Sequence, residues 1–129
     1  RPVPRMPYEI TPEDMGWHLL LTNPVCHPTM LATREIMDRV GGYRAVPAED
    51  YDLWMRVASA GGRIRRIAPW GLLYRIHPGQ VTGNASWRSD SWKNPEQAQA
   101  FADLSVSLTG EALPRLVSLV SLPRDEAER

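Results

Sequence analysis

The sequence has little cysteine, no excess of charge and no long apolar run, and each shortage excludes a class of protein. Cys26 is the single cysteine and cannot form an internal disulfide, which is typical of a protein in a reducing compartment. The 15 basic residues balance 15 acidic ones, so charge does not favour nucleic acid as a partner. No apolar run approaches the roughly 20 residues that span a bilayer. We therefore expect the protein to lie in the cytoplasm, and a position at the inner face of the membrane is an alternative.

The sequence also lacks a glycine-rich phosphate loop of the Walker or the dinucleotide type. Helix caps and apolar periodicity instead predict five helices, which begin near Thr11, Thr33, Glu49, Asn94 and Glu111. Runs of β-prone residues predict three short strands, at residues 25 to 32, 63 to 69 and 71 to 77. This mixture favours an α+β fold with too few strands for a complete doubly wound sheet.

Changes in composition divide the chain into five segments. They are a proline-rich extended connector at 1–10, a central unit at 11–82, a polar loop at 83–93, a pair of helices at 94–122 and a charged tail at 123–129. Because the chain begins with Arg1 and a connector, we expect it to be cut from a longer protein.

Glu49 and Asp50 stand in the first turn of the third predicted helix. Carboxylates in a first turn stabilise a helix by about 0.3–1 kcal/mol through its dipole, so a capping role competes with a catalytic one. Asp50 and Asp52 also match an Asp-x-Asp pattern that holds divalent cations in many nucleotide-sugar enzymes. Residues two apart on a helix point about 200° away from each other, so we do not expect these two carboxylates to share an ion.

Three ordered motifs in residues 23 to 82 resemble the C-terminal half of the inverting, family 2-like glycosyltransferases that have the GT-A fold. The motifs are HPTMLATRE with GGY at residues 27 to 43, EDYDLW at 49 to 54 and YRIHPGQ at 74 to 80. Together they are specific, whereas any one alone is weak. The resemblance implies an incomplete C-terminal portion of a GT-A (nucleotide-diphospho-sugar transferase) fold, with mixed strands and flanking helices, in which residues 11–82 form the acceptor-side half of the catalytic domain.

The resemblance also implies an activity, which is transfer of a sugar from a nucleoside-diphosphate donor to an acceptor hydroxyl with inversion. The acceptor would be a glycan, a lipid or another hydroxyl compound. The family's acidic motif makes Asp50 the general base, with Glu49 as the second choice. A positioned base of this kind accelerates such a step by about 10²–10⁴-fold.

The remaining site residues follow from the same resemblance. His77 would contact a divalent cation, Mn or Mg, or the donor diphosphate, although a turn-capping role is equally open. Arg75 would pair with a donor phosphate or form an ordinary salt bridge. His27 and Trp54 would line the acceptor site, with packing in a strand and in the core as their alternatives.

The motifs do not include the family's donor-binding half, which carries its own metal-binding Asp-x-Asp pair. We therefore expect the 129 residues alone to be inactive, and the cut surface could form a homodimer. Two other classes stay open. One is a non-catalytic accessory domain that binds a glycan or a protein, and the other is a hydrolase that pairs Glu49 or Asp50 with Asp90.

Overall fold

A computed structural model describes residues 8–73, 75, 90–91 and 93–113, which fold around four α-helices. The helices are α1 (Pro12–Leu21), α2 (Arg34–Val40), α3 (Glu49–Ser59) and α4 (Pro95–Thr109), and a single 3-10 turn spans His27–Thr29. The fifth predicted helix, the charged tail and most of the connector and polar loop lie outside the described residues. Within those residues, no helix has both the length and the apolar character that a membrane span requires.

The helices begin where the sequence places their caps. The Thr11 hydroxyl accepts a hydrogen bond from the Asp14 amide at 3.2 Å. The Asn94 side chain accepts two, from the amides of Glu96 and Gln97 at 3.0 and 3.1 Å. Each of these bonds satisfies a first-turn N–H group that has no acceptor inside its own helix. The predicted starts of α1 and α4 are confirmed.

The core lies where α3 packs against α1 and α4, and α2 also contacts α3. Its fully buried apolar side chains include Met15, Leu19, Leu53, Met55, Phe101 and Leu104. Burying one side chain of this size stabilises the fold by roughly 1.5–3 kcal/mol. The apolar periodicity that predicts α1 and α3 places buried residues on both helices, and α3 contacts each of the other three.

The predicted α+β fold is wrong for the described residues, which contain no β-strand and no sheet. Residues 27 to 29, expected in a strand, form the 3-10 turn, and residues 63 to 73 run as irregular chain. The described pairing is one antiparallel bridge, in which Ile10 and Arg66 exchange two backbone hydrogen bonds of 3.0 Å.

The physical reason for this correction is that a strand needs a neighbouring strand to satisfy its backbone groups. Pro28 and Pro69 have no N–H to donate to such a neighbour; Pro28 lies inside the first predicted strand and Pro69 ends the second. An incomplete GT-A sheet with mixed strands is therefore not what these residues form.

Candidate functional site

The start of α3 brings a carboxylate to the surface in a fixed orientation. Ala48 precedes the helix and has no side chain that could cap it. Asp50 partly fills this role, because its Oδ1 atom accepts a hydrogen bond of 2.7 Å from the Tyr51 amide. The capping function that the sequence suggested for this carboxylate is thus present in the structure, and it also restricts the rotation of the side chain.

The second oxygen of Asp50 accepts a hydrogen bond from the chain that follows α1. Asn23 follows the end of α1, and its Nδ2 atom donates a hydrogen bond of 3.0 Å to Asp50 Oδ2. Asp50 is half-buried, so solvent and ligands still reach it. Each carboxylate oxygen can accept two hydrogen bonds, and each therefore keeps one accepting position beyond the bond described here.

His27 contacts both Glu49 and Tyr43 on the same surface. His27 Nδ1 lies 3.9 Å from Glu49 Oε1, and His27 Nε2 lies 2.8 Å from the Tyr43 hydroxyl. Burial, and then the negative charges of Asp50 and Glu49, raise the pKa of Tyr43. The hydroxyl therefore stays protonated at neutral pH, and the tautomer of His27 sets which of the two groups donates.

Together Asn23, His27, Tyr43, Glu49 and Asp50 form what we call the α3 entry cluster. Its members come from the end of α1, the 3-10 turn, the loop after α2 and the first turn of α3. Within the described residues, neither carboxylate is ion-paired with a lysine or arginine. Both groups are therefore available to accept a hydrogen bond or a proton from a ligand.

Trp54 lies beneath this cluster and belongs to the core. Its side chain is 3% exposed, and its ring meets the His27 ring edge-on with centroids 6.1 Å apart. Its indole N–H has no hydrogen-bond partner among the described residues. Trp54 supports His27 from the protein interior, and its role in acceptor binding stays a prediction.

Asp52 is turned away from Asp50 and has different partners. Its side chain is completely buried and is paired with Arg44 and with Arg56, whose Nε atom lies 2.8 Å from Asp52 Oδ2. The carboxylates of Asp50 and Asp52 therefore do not converge, as the helical geometry predicts. Across the described part of the chain, no group of three His, Cys, Asp or Glu side chains could hold a metal ion.

Two predicted site residues are not brought to the cluster by the described structure. Arg75 is exposed, and His77, the predicted metal ligand, lies outside the described residues.

A pocket of about 80 Å³ lies between α1, the far end of α3 and α4, and Met15, Gly16, Ala58 and Leu108 are among the residues that line it. Neither Glu49 nor Asp50 lines this pocket.

Sequence reasoning missed Asn23 and Tyr43 as members of the site. In the sequence Asn23 is only the first residue of the segment that resembles the family, and Tyr43 is only the last residue of the GGY motif. Comparisons with family models, with curated proteins and with solved structures found no match to this chain. The motifs in residues 23 to 82 are therefore the basis on which a function can be proposed.

Tyr51 joins the end of α1 to the start of α3, and we expect this contact to weaken in alkali. Its hydroxyl donates to the Leu19 carbonyl, and burial raises the pKa of this phenol. Because the folded state favours the neutral phenol, its contribution to stability is complete below the unfolded pKa of about 10 and is lost as pH rises above that value. Tyr51→Phe should therefore flatten the fall in the free energy of unfolding between pH 9 and pH 11.

Urea unfolding at several pH values in this range measures the effect. At pH 7 the same variant should be less stable by roughly 0.5–1.5 kcal/mol, since one buried hydrogen bond is lost. An alkaline fall as steep as that of the wild type would show that another group causes it.

Proposed function

We propose that this chain is the acceptor-side part of an inverting glycosyltransferase and that Asp50 is its general base. The observation that carries the proposal is the placement of Asp50, which is half-buried at the start of a rigid helix and held by one donor on each oxygen. A base must present its lone pair in a constant direction to a proton that it removes. The three motifs that resemble this enzyme family support the same assignment.

The proposed step transfers one proton, forms one C–O bond and breaks another. Asp50 takes the proton of the acceptor hydroxyl as that oxygen attacks the anomeric carbon of the donor sugar. The bond from the anomeric carbon to the diphosphate breaks, and the nucleoside diphosphate leaves with the electron pair. Because attack and departure occur on opposite faces of the sugar, the configuration of the anomeric carbon inverts.

Glu49 is less well placed for this role. Its side chain is 47% exposed, and its described partner is the His27 ring at 3.9 Å. A longer and more mobile side chain has more rotamers to restrict before reaction. We assign Glu49 to the orientation of His27 and to the negative charge of the surface, where an acceptor hydroxyl would bind.

A divalent cation is the usual partner of a nucleoside diphosphate, because it offsets the charge that develops on the leaving group. The described residues do not form a site for such an ion. We therefore assign Mn or Mg to none of these side chains, and the contacts predicted for His77 and Arg75 remain untested.

Transfer assays on the full-length enzyme test this proposal. Nucleoside-diphosphate release should depend on both a nucleotide sugar and an acceptor, and proton NMR of the product should show an inverted anomeric centre. The 129 residues alone should release no nucleoside diphosphate above the blank. A product with retained configuration would contradict the mechanism, and turnover by the isolated chain would show that the donor site lies within it.

A non-catalytic module that binds a glycan or a protein is the second candidate function. The position of the pocket favours it, because the pocket lies near Ala58 and Gly62 at the far end of α3 from Asp50. Such a module would bind its ligand without turnover. Retention of glycan binding by an Asp50→Asn variant, with no transfer by the wild type, would identify it.

A further inference from the structure

We infer that Asn23 is a positioning residue that holds the Asp50 carboxylate in its reactive orientation. This inference rests on the proposed function, because it assigns Asn23 a role only if Asp50 is the base. The observation that supports it is the hydrogen bond of 3.0 Å that Asn23 Nδ2 donates to Asp50 Oδ2. It crosses from the end of α1 to the start of α3.

The orientation of the Asn23 amide is set by its other end. Asn23 Oδ1 accepts a hydrogen bond of 3.2 Å from the Val25 amide, which forms a turn of the kind that asparagine favours. A reversed amide would place its NH₂ group against the Val25 N–H, so two donors would meet. Nδ2 must therefore face Asp50, and the donor–acceptor roles in this contact follow from the geometry.

The segment that carries Asn23 is itself anchored. Pro24 is buried, and its carbonyl accepts a hydrogen bond of 3.2 Å from Arg66 Nη1. The chain that follows Asn23 is thus held in place. A donor mounted on an anchored turn restricts the carboxylate more than a donor on a mobile loop would.

Asn23 is not the sole tie between the two helices. The Tyr51 hydroxyl bonds the Leu19 carbonyl at the same junction, and the core residues of α1 and α3 pack below it. The junction should therefore survive the loss of Asn23. What the Asn23 amide adds is a second fixed point for the carboxylate, since the Tyr51 amide by itself holds only Oδ1.

A double-mutant cycle tests this role in the full-length enzyme. Asn23→Ala should lower kcat by roughly tenfold and leave the acceptor KM nearly unchanged, because orientation of the base matters only in the reacting complex. In an Asp50→Asn background the same substitution should change the residual rate by less than about twofold, because no base is left to position.

The Asn23→Asp variant removes the hydrogen-bond donor of residue 23 and keeps its acceptor. It keeps an oxygen for the Val25 amide, so the turn is retained, but it replaces the NH₂ group with an oxygen that repels the Asp50 carboxylate. Its kcat should fall at least as far as that of Asn23→Ala, and the acid limb of its pH–rate profile should move to higher pH. That shift reports that residue 23 lies against the base in the working enzyme, and the double-mutant cycle reports whether the native amide positions it.

The outcomes separate the two proposals. Equal losses of kcat in both backgrounds, or full activity in both Asn23 variants, would overturn the positioning role while leaving Asp50 as the base. A wild-type rate in Asp50→Asn alone would overturn the proposed function and this inference with it. Melting temperatures of all four proteins in the cycle show whether any loss reflects unfolding.

Discussion

Replacing Asp50, the proposed general base, by asparagine should lower the kcat of the proposed glycosyltransferase by about 10²–10⁴-fold. The amide has nearly the shape of the carboxylate, and its oxygen can still accept a hydrogen bond from Asn23 or from the Tyr51 amide. It cannot take up a proton at neutral pH. The reaction therefore loses its base, and the site also loses one of its two hydrogen bonds to residue 50, because the new NH₂ group faces one of the two donors. Affinity for the nucleotide donor, measured by calorimetry, should be unchanged.

Glu49→Gln is the matched control, because it removes the neighbouring charge in the same helical turn. We expect it to change kcat by only a few-fold, since Glu49 has the exposed His27 ring rather than two fixed donors as its partner. Both variants should melt near the wild-type temperature, because one first-turn carboxylate contributes about 0.3–1 kcal/mol. If Glu49→Gln is inactive and Asp50→Asn runs at the wild-type rate, the base is Glu49.

The helices could be predicted because their signals are local. Thr11 and Asn94 bond amides two or three residues along the chain, and Gly41 and Gly110 end their helices with φ values of 75° and 81°. Positive φ is a conformation that glycine adopts without a steric penalty. Such contacts depend on a few adjacent residues, so the sequence alone is enough to indicate them.

The strands could not be predicted in the same way, because a strand is stabilised by residues far away in the sequence. The bridge between Ile10 and Arg66 joins positions 56 apart, and no local pattern announces it. The alternation in residues 71 to 77 was evidence for a strand only if a partner strand stood beside it. The runs of β-prone residues and the family resemblance both predicted strands, and the described residues form none.

The site could be predicted in part, for a related reason. Glu49 and Asp50 were identified because the motif and the helix start coincide at them. Asn23 reaches Asp50 across 27 residues, and Tyr43 reaches His27 across 16, so neither partner carries a local signal. The opposite directions of Asp50 and Asp52 were predictable, because helical geometry alone sets them.

Asp52→Asn should have the largest effect on stability, with a loss of about 3–5 kcal/mol in the free energy of unfolding. The Asp52 side chain is fully buried, and its carboxylate accepts from Arg44 Nε at 3.0 Å and from Arg56 Nε at 2.8 Å. Arg56 in turn donates to the carbonyls of Val40 and Gly42, at the end of α2. Without the carboxylate, two neighbouring guanidinium groups lose their buried counter-charge, and the exposed Glu96 carboxylate, 3.8 Å from Arg44 Nε, offsets only part of that loss. Urea unfolding monitored by circular dichroism measures the loss.

Glu35→Gln is the control, because it breaks an ion pair of the same kind on the surface. Glu35 and Arg39 are 80% and 51% exposed, so solvent screens their attraction and the loss should stay below about 0.5 kcal/mol. A loss of under 1 kcal/mol in Asp52→Asn would show that water or a shift of Arg44 compensates for the missing charge. If the expected losses are found, Asp50 and Asp52 have different roles although they lie two residues apart. Replacing Asp50 impairs turnover in a folded protein, whereas replacing Asp52 impairs folding itself.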